Sequence, residues 1–348
     1  MAYTTIDKPS DYFNTKLYSG TGSTNAITGV GFQPDWVWIK ARDHAYGHHL
    51  QDAVRGTGKD LYSNLSDAEY SNANSLTTFG SDGFTVGSDN GVNNGSKTYV
   101  SWNWLGANGT ASNTDGSITS TVSANTTAGF SIVSYTGTGS NATVGHGLGV
   151  APKMIICKGR SFSSSAHWLT YHEAMGNTSA MKLNLTSAKE TTHYYWNNTS
   201  PTSSTFSLGA GTEANTSSAT FIAYCFAEKK GYSKFGSYTG NGNADGTFVY
   251  TGFKPAFVLI KSTSNAVNWQ MQDNKTAPHN LMVNKLFANT SAAQDTGSEN
   301  TMDFYSNGFK PRGTGSSENI NGNGYSYIYM AFAENPFVTS TGIPSCAR

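Results

Sequence analysis

The chain has 348 residues; Ser, Thr, Asn and Gly supply more than two fifths of them, charged residues supply 13 %, and the net charge is zero. With 13 % aromatics and no basic surplus, this composition excludes an electrostatic nucleic-acid binder, a disordered chain and a helical bundle. Short strands joined by tight turns fit it.

The N-terminus, Met1-Ala2-Tyr3-Thr4-Thr5-Ile6-Asp7, has no basic or apolar signal region. No run approaches the roughly 18 apolar residues of a membrane helix. A soluble protein made in a cytoplasm, without membrane insertion, is expected. Residues 1–12 read as an attachment segment. From Tyr18 the chain runs YSGTGSTNAITGVGFQPDWVWIK to Lys40, and the pattern returns as YTGTGSNATVGHGLGVAPKMIICK from Tyr135 to Lys158 and YTGNGNADGTFVYTGFKPAFVLIK from Tyr238 to Lys261. Each unit closes on an aromatic strand, Val100-Ser101-Trp102-Asn103-Trp104, Ile222-Ala223-Tyr224-Cys225-Phe226 and Ile328-Tyr329-Met330-Ala331-Phe332. A repeat this long is a whole domain copied twice, not a solenoid turn.

The predicted organisation is all-β, with three tandem β-sandwich domains of about 100 residues, jelly-roll or lectin-like. Repeat one spans 13–108, a linker of small residues 109–128, repeat two 129–230, repeat three 231–337 and a C-terminal tail 338–348. Trp36-Val37-Trp38-Ile39 and its counterparts are apolar on both faces, which marks a strand covered on both sides. Pro34, Pro152 and Pro255 stand at the strand entrances. Asp82-Gly83, Asn94-Gly95 and Asn307-Gly308 suit hairpin turns. Residues 66–70 and 187–192 are the windows where a single helical turn fits. The three cysteines, Cys157, Cys225 and Cys346, are too few for a disulfide framework; Cys157 and Cys225 read as reduced core residues, with a bridge between them left open.

Chemical motifs are sparse. No P-loop, dinucleotide fingerprint, HExxH or GxSxG is present. His48, His49 and Asp52 have the residue types of a metal site, but the second unit offers His167, His172 and Glu173 and the third Asn268 and Asp273, so structural histidines are expected, with no metal and no cofactor. The loops at 89–95 and 241–246 carry oxygen ligands that Ca²⁺ accepts, without EF-hand spacing, and read as turns. Trp36, Trp38, Trp102 and Trp104 are replaced by other large apolar residues in the other copies, so they read as core. Binding residues are sought among loop aromatics and amides found in one copy: Tyr46, Tyr70, His193, Tyr194, Tyr195, Trp196 and Asn197. No catalytic residues and no enzyme are expected.

Phe32-Gln33-Pro34-Asp35-Trp36-Val37-Trp38-Ile39-Lys40, His49-Leu50-Gln51-Asp52-Ala53-Val54-Arg55-Gly56 and Ser81-Asp82-Gly83-Phe84-Thr85-Val86-Gly87 resemble a domain of unknown function widespread in tailed, often marine, phages. Gly145-His146-Gly147-Leu148-Gly149-Val150-Ala151-Pro152-Lys153 and Met330-Ala331-Phe332-Ala333-Glu334-Asn335-Pro336-Phe337 resemble its tandem companions. The resemblance implies a virion structural protein on the particle surface, a tail fibre, spike or similar appendage. The expected partners are other virion proteins, further copies of the chain as a homo-oligomer (a trimer), and a host surface glycan or receptor. A capsid decoration or head-fibre protein is the first alternative and a polysaccharide depolymerase the second. A seven-residue apolar repeat for a trimeric shaft is missing, which counts against a fibre stalk.

Overall fold

Side chains alternate between the two faces of a strand, so the buried runs at 36–39, 154–157 and 257–260 need apolar cover on both sides. The computed structural model, which describes residues 4–162, 166–314 and 320–336, shows what supplies it. The fold is all-β. Each unit forms a large antiparallel sheet. In the first its order is Phe13–Ser19, Thr98–Trp104, Trp36–Ala41, His49–Asp52, Lys59–Tyr62 and Tyr70–Ser71. The closing strand lies beside the strand that follows the proline, and the next two strands continue outward, which is a Greek-key order. The second unit repeats this with Phe130–Thr136, Thr220–Phe226, Met154–Gly159, Leu169–His172, Ser179–Lys182 and Glu190–Thr191. The third repeats it with Ser233–Thr239, Ser326–Pro336, Phe253–Ser262, Gln270–Asp273 and Leu286–Phe287.

A small sheet covers one face of each large sheet. It consists of Asn25–Thr28, Gly83–Val86 and Leu76–Gly80 in the first unit, and of Ala142–Gly145 with Thr205–Leu208 in the second. In the third it is Val249–Tyr250, Gly308–Pro311 and Met302–Tyr305. Val37, Ile39 and Tyr99 pack into this layer in the first unit, as do Ile155, Cys157 and Phe221 in the second and Val258, Ile260 and Tyr327 in the third. The opposite faces meet in a single core that holds Trp36, Trp104, Ile156, Tyr224, Phe257 and Phe332 together. Trp36 stacks on Tyr224 with centroids 4.3 Å apart, Trp104 meets Phe257 edge-on at 6.0 Å, and Phe226 meets Phe332 at 6.1 Å. Such pairs each contribute about 0.5–1.5 kcal/mol beyond area burial. The expectation of three separately cored sandwiches is therefore corrected: each unit has its own layer between two sheets, but its inner face is completed only by the other two units.

Hydrogen bonds close the three units into a ring. The Glu69 amide donates to the Arg160 carbonyl (2.8 Å), the Lys189 amide to that of Thr263 (3.1 Å), and the Gln294 amide to that of Arg42 (2.7 Å). In the reverse sense the Trp168 indole donates to the Tyr62 carbonyl (2.8 Å) and the Trp269 indole to that of Lys182 (3.1 Å). Deeper in, Tyr224 Oη donates to Asp52 Oδ2 (2.8 Å) and Trp102 Nε1 to Asp273 Oδ2 (3.2 Å). At the third equivalent place Met330 offers no donor. The facing residue there is His172, not an acid, and its Nε2 donates to the Tyr329 carbonyl (3.1 Å).

The Tyr-x-Gly-x-Gly motif is part of this scaffold. Tyr18, Tyr135 and Tyr238 donate to the carbonyls of Val92, Ala214 and Ile320. A Cβ on Gly20, Gly137 or Gly240 would stand 2.0, 2.4 and 2.4 Å from the backbone oxygens of Asn94, Thr216 and Gly322, so only glycine fits. The fully buried Asn93, Asn215 and Asn321 accept from the amides of Thr21, Thr138 and Asn241.

Several boundaries differ from expectation. Residues 109–128 are not a linker: Ala111–Asn113 and Ser120–Asn125 add two strands to the second large sheet. Ala111–Asn113 is the short edge strand, and in the strand beside it Val122 reaches the apolar layer and Ser120 donates to the Gly145 carbonyl. Residues 4–12 are built into the body, not held free for attachment. Ile6 lies in the shared core, and Tyr12 packs edge-on against Tyr232 at 6.0 Å. Windows 66–70 and 187–192 are extended, because the Glu69 and Lys189 amides bond across to the next unit; single helical turns occur at Asn90–Asn93 and Thr212–Asn215. Cys157 and Cys225 are free and buried. Cys346 and the tail 338–348 lie outside the described residues.

The lysine that ends each repeat motif is buried. Lys40 donates to the carbonyls of Ala41 and His44, Lys158 to those of Asp67 and Gly159, and Lys261 to those of Ser262 and Asn265. Burial pushes these amines down to about 8, about 8 and about 7. Above neutrality the unfolded chain thus holds more protons than the folded one, and stability rises with pH. Burial also raises the Cys157 thiol, to about 12, and the Cys225 thiol; thiols ionising only in the unfolded chain oppose the trend above about pH 9. The thermal midpoint is expected to climb from pH 7 to about pH 9 and to climb less steeply above it, where two thiols offset part of the effect of three amines, measured by circular dichroism melts.

Because the units share one core, calorimetry is expected to show a single cooperative transition. Trp36→Ala should lower the stability of all three units together, by about 3–5 kcal/mol; three resolved transitions, with only the first displaced, would refute the shared core.

Candidate functional site

The metal candidates of the first unit point to separate partners. His48 is buried where the other units have Trp168 and Trp269; its Nδ1 accepts from Trp38 Nε1 (2.8 Å) and its ring lies beside the Phe287 carbonyl. His49 Nδ1 stands 3.1 Å from Asp60 Oδ1, and Asp52 pairs with Arg55 and Tyr224. In the second unit His167 bonds to Asn184 (2.9 Å), His172 holds the ring and Glu173 pairs with Lys153. In the third, Asn268 accepts from Asn289 (2.8 Å). Among the described residues no three His, Cys, Asp or Glu side chains are grouped to hold a metal ion. The Asn/Asp/Gly loops spend their oxygens on their own turns: Asp89 accepts from the Gly91 amide (2.8 Å), Asn243 from that of Asp245 (2.8 Å), and Asp245 pairs with Lys310 (2.6 Å).

The expected binding aromatics do not form one surface. Trp196 is a core residue, 2 % exposed and edge-on to Tyr171; its uniqueness to one copy reflects a longer loop that needs its own anchor. Tyr195 is half-buried and hydrogen-bonds to Glu213 and Glu190; burial first, then these carboxylates, raises its hydroxyl. Tyr46 is half-buried against the first small sheet and accepts from Asn94 Nδ2 (3.2 Å). Tyr70, 60 % exposed, sits on an edge strand of the first unit. His193 and Tyr194 lie on the surface of the second with tilted rings 4.0 Å apart, and Asn197 is exposed in the same loop.

The rim of the ring, where the copies differ, offers better candidates. Nine positions separate Asp52 from Leu61 and His172 from Met181, but thirteen separate Asp273 from Leu286. The longer loop walls a cavity of about 570 Å³ together with Lys254, Phe304 and Glu334. It is held rigid: Asp273 caps the Lys275 and Thr276 amides (2.9 and 2.8 Å), and Asn280 both donates to and accepts from the Phe304 backbone (2.9 Å each). Through Lys275 the cavity adjoins a hollow of about 400 Å³ at the seam with the first unit, lined by Asn14, Thr15, Lys16, Leu17 and Gly29. The result is a groove with lysine, histidine and amide donors. Glu334 is the one carboxylate among its lining residues and pairs with Lys254 (2.8 Å). Such donors suit the hydroxyl and acidic groups of a sugar chain. The loop's signal in the sequence is its length relative to the other two copies, not an aromatic residue.

The seam between the first and second units is filled instead. Glu69 pairs with Arg160 (2.9 Å) and with the buried Arg55 (3.2 Å), which also pairs with Asp52. Burial alone would raise the Glu69 carboxyl, but Arg160 and Arg55 hold it below the ordinary range.

The chain belongs to the family described as a domain of unknown function, DUF7483, which matches residues 8–336. No curated protein matches it. Among the described residues no helix is long and apolar enough to cross a membrane.

Removing one partner of a buried ion pair strands the other charge. Arg55→Met is accordingly expected to cost about 3–5 kcal/mol in urea unfolding, and an unchanged midpoint would show that the network contributes nothing.

Proposed function

We propose that the protein is a structural component of a tailed-phage virion, an outward-facing appendage that adsorbs to host surface glycans through the groove between its third and first units. The motif resemblance to phage proteins supports the setting. The observation that carries the binding role is the contrast between a scaffold repeated three times and a donor-lined groove built once, by the longer loop after Asp273. A rigid scaffold displaying a variable loop is a common arrangement for recognition. Weak sites gain avidity from many copies on one particle, which fits a homo-oligomer, proposed as a trimer, attached to other virion proteins. Binding without hydrolysis is favoured because paired-acid glycoside hydrolysis needs two carboxyl groups, whereas Glu334 alone lines the groove and is committed to Lys254.

Two measurements test this reading. Immunogold labelling of intact particles should mark the tail; label confined to the shell would replace the appendage with a capsid decoration. On a glycan array the native protein should bind host polysaccharide, and Lys275→Glu should weaken binding about tenfold with an unchanged melting midpoint. Absence of any glycan signal would remove the adsorption role.

A further inference from the structure

The three seams can be compared position by position. Where the first unit meets the second, Glu69 faces Arg160, Arg55 rises from below, and Arg160 reaches Ser134 Oγ (3.4 Å). Where the third meets the first, Gln294 Oε1 accepts from Arg42 Nε (2.9 Å). Both seams are thus closed by an acceptor on one unit and a guanidinium on the next. At the seam of the second and third units the equivalent residues are Lys189 for Glu69, Thr263 for Arg160, Met175 for Arg55 and Ser237 for Ser134. Among the residues lining this place there is no guanidinium and no carboxylate or amide oxygen to match it. A hollow of about 290 Å³ occupies the place, lined by Lys189, Ser237, Thr263, Ser264, Ser326 and Met175.

The chemistry of this hollow is the reverse of the filled seam. A cation stands where the carboxylate was. The acids nearest to it in sequence are committed elsewhere, Glu190 to Lys182 (3.3 Å) and Glu173 to Lys153. Four hydroxyl side chains form the rim, and the buried Met175 supplies an apolar floor. A ligand that completes the missing bridge must bring its own carboxylate to Lys189, hydroxyls to the rim and a C–H face to Met175. We propose that this hollow binds a carboxylate-bearing sugar residue, with Lys189 taking the carboxylate. The site is separate from the groove at Lys275 and does not depend on where the protein sits in a particle.

The test is a calorimetric titration of the full chain with glucuronate, glucose and sodium sulfate at low salt. Glucuronate is expected to bind at least about tenfold more tightly than glucose, the usual gain from one charge-assisted hydrogen bond. Lys189→Met should remove that preference. The double variant Lys189→Glu, Thr263→Arg rebuilds the bridge of the filled seam; it should abolish glucuronate binding while keeping or raising the thermal midpoint, which separates a filled site from a damaged fold. Equal affinity for glucose, sulfate binding without a preference for glucuronate, or undiminished glucuronate binding by the double variant would each overturn the assignment.

Discussion

Apart from the short segment that brings Ile6, the inner faces of three sheets have no cover except one another, and the rest of the structure follows from that constraint. A strand such as Trp36–Ala41 carries large apolar side chains on both faces. One face is covered within its own unit by a small sheet; the other is left with Trp36, Trp38 and their neighbours, a surface too apolar to face water. Three copies solve this by turning those faces inward. Polar groups buried by the closure then need partners at once, which is why each corner carries a matched donor and acceptor: Asp52 with Tyr224, Asp273 with Trp102, and His172 with a backbone carbonyl where Met330 has nothing to donate.

The same constraint explains how the repeat is distributed. Residues preserved in all three copies are those that the ring or the unit's own layer requires: the tyrosine that reaches a carbonyl across the sheet, the glycine pressed against backbone, the buried asparagine that ties three turns, the lysine whose amine caps carbonyls. Residues that differ gather on the rim, where a seam is closed by an ion network, by an amide with a guanidinium, or by no side-chain pair at all. The interior exchanges residues while keeping their size and apolar character, Trp36 for Met154 and Phe257 among them, whereas the rim keeps neither.

Much of this was legible in the sequence, and the parts that were not share a cause. The all-β class, the repeat, the doubly covered strands and the core role of the tryptophans rest on local patterns, and periodicity reports these well. The ring was hidden because it depends on contacts between residues far apart in the chain, from Lys189 with Thr263 to Trp102 with Asp273 and Gln294 with Arg42. Residues 109–128 looked like a linker because the two strands at that end of the sheet bury few apolar side chains, Val122 chief among them. Trp196 looked like a surface aromatic because its copies lacked it, yet a lone aromatic in a long loop also serves as that loop's anchor. The groove at Lys275 left a length signal rather than a compositional one: four extra residues between positions whose neighbours align closely.

The stitching of the chain's beginning to its third unit has a consequence for synthesis. Ile6 and Trp102 emerge from the ribosome early, but the residues that complete their surroundings, Tyr232 and Asp273 among them, come much later. At 5–20 residues per second, the 171 positions between Trp102 and Asp273 correspond to roughly ten to thirty seconds of translation. Until the end of that interval the part of the aromatic face that meets the third unit, such as Trp102 and Trp104 against Phe257, has no partner to cover it. The small sheets, which close within single units, let each unit take shape as it appears. The tryptophan-rich inner face is complete only once the last strand, Ser326–Pro336, has joined it.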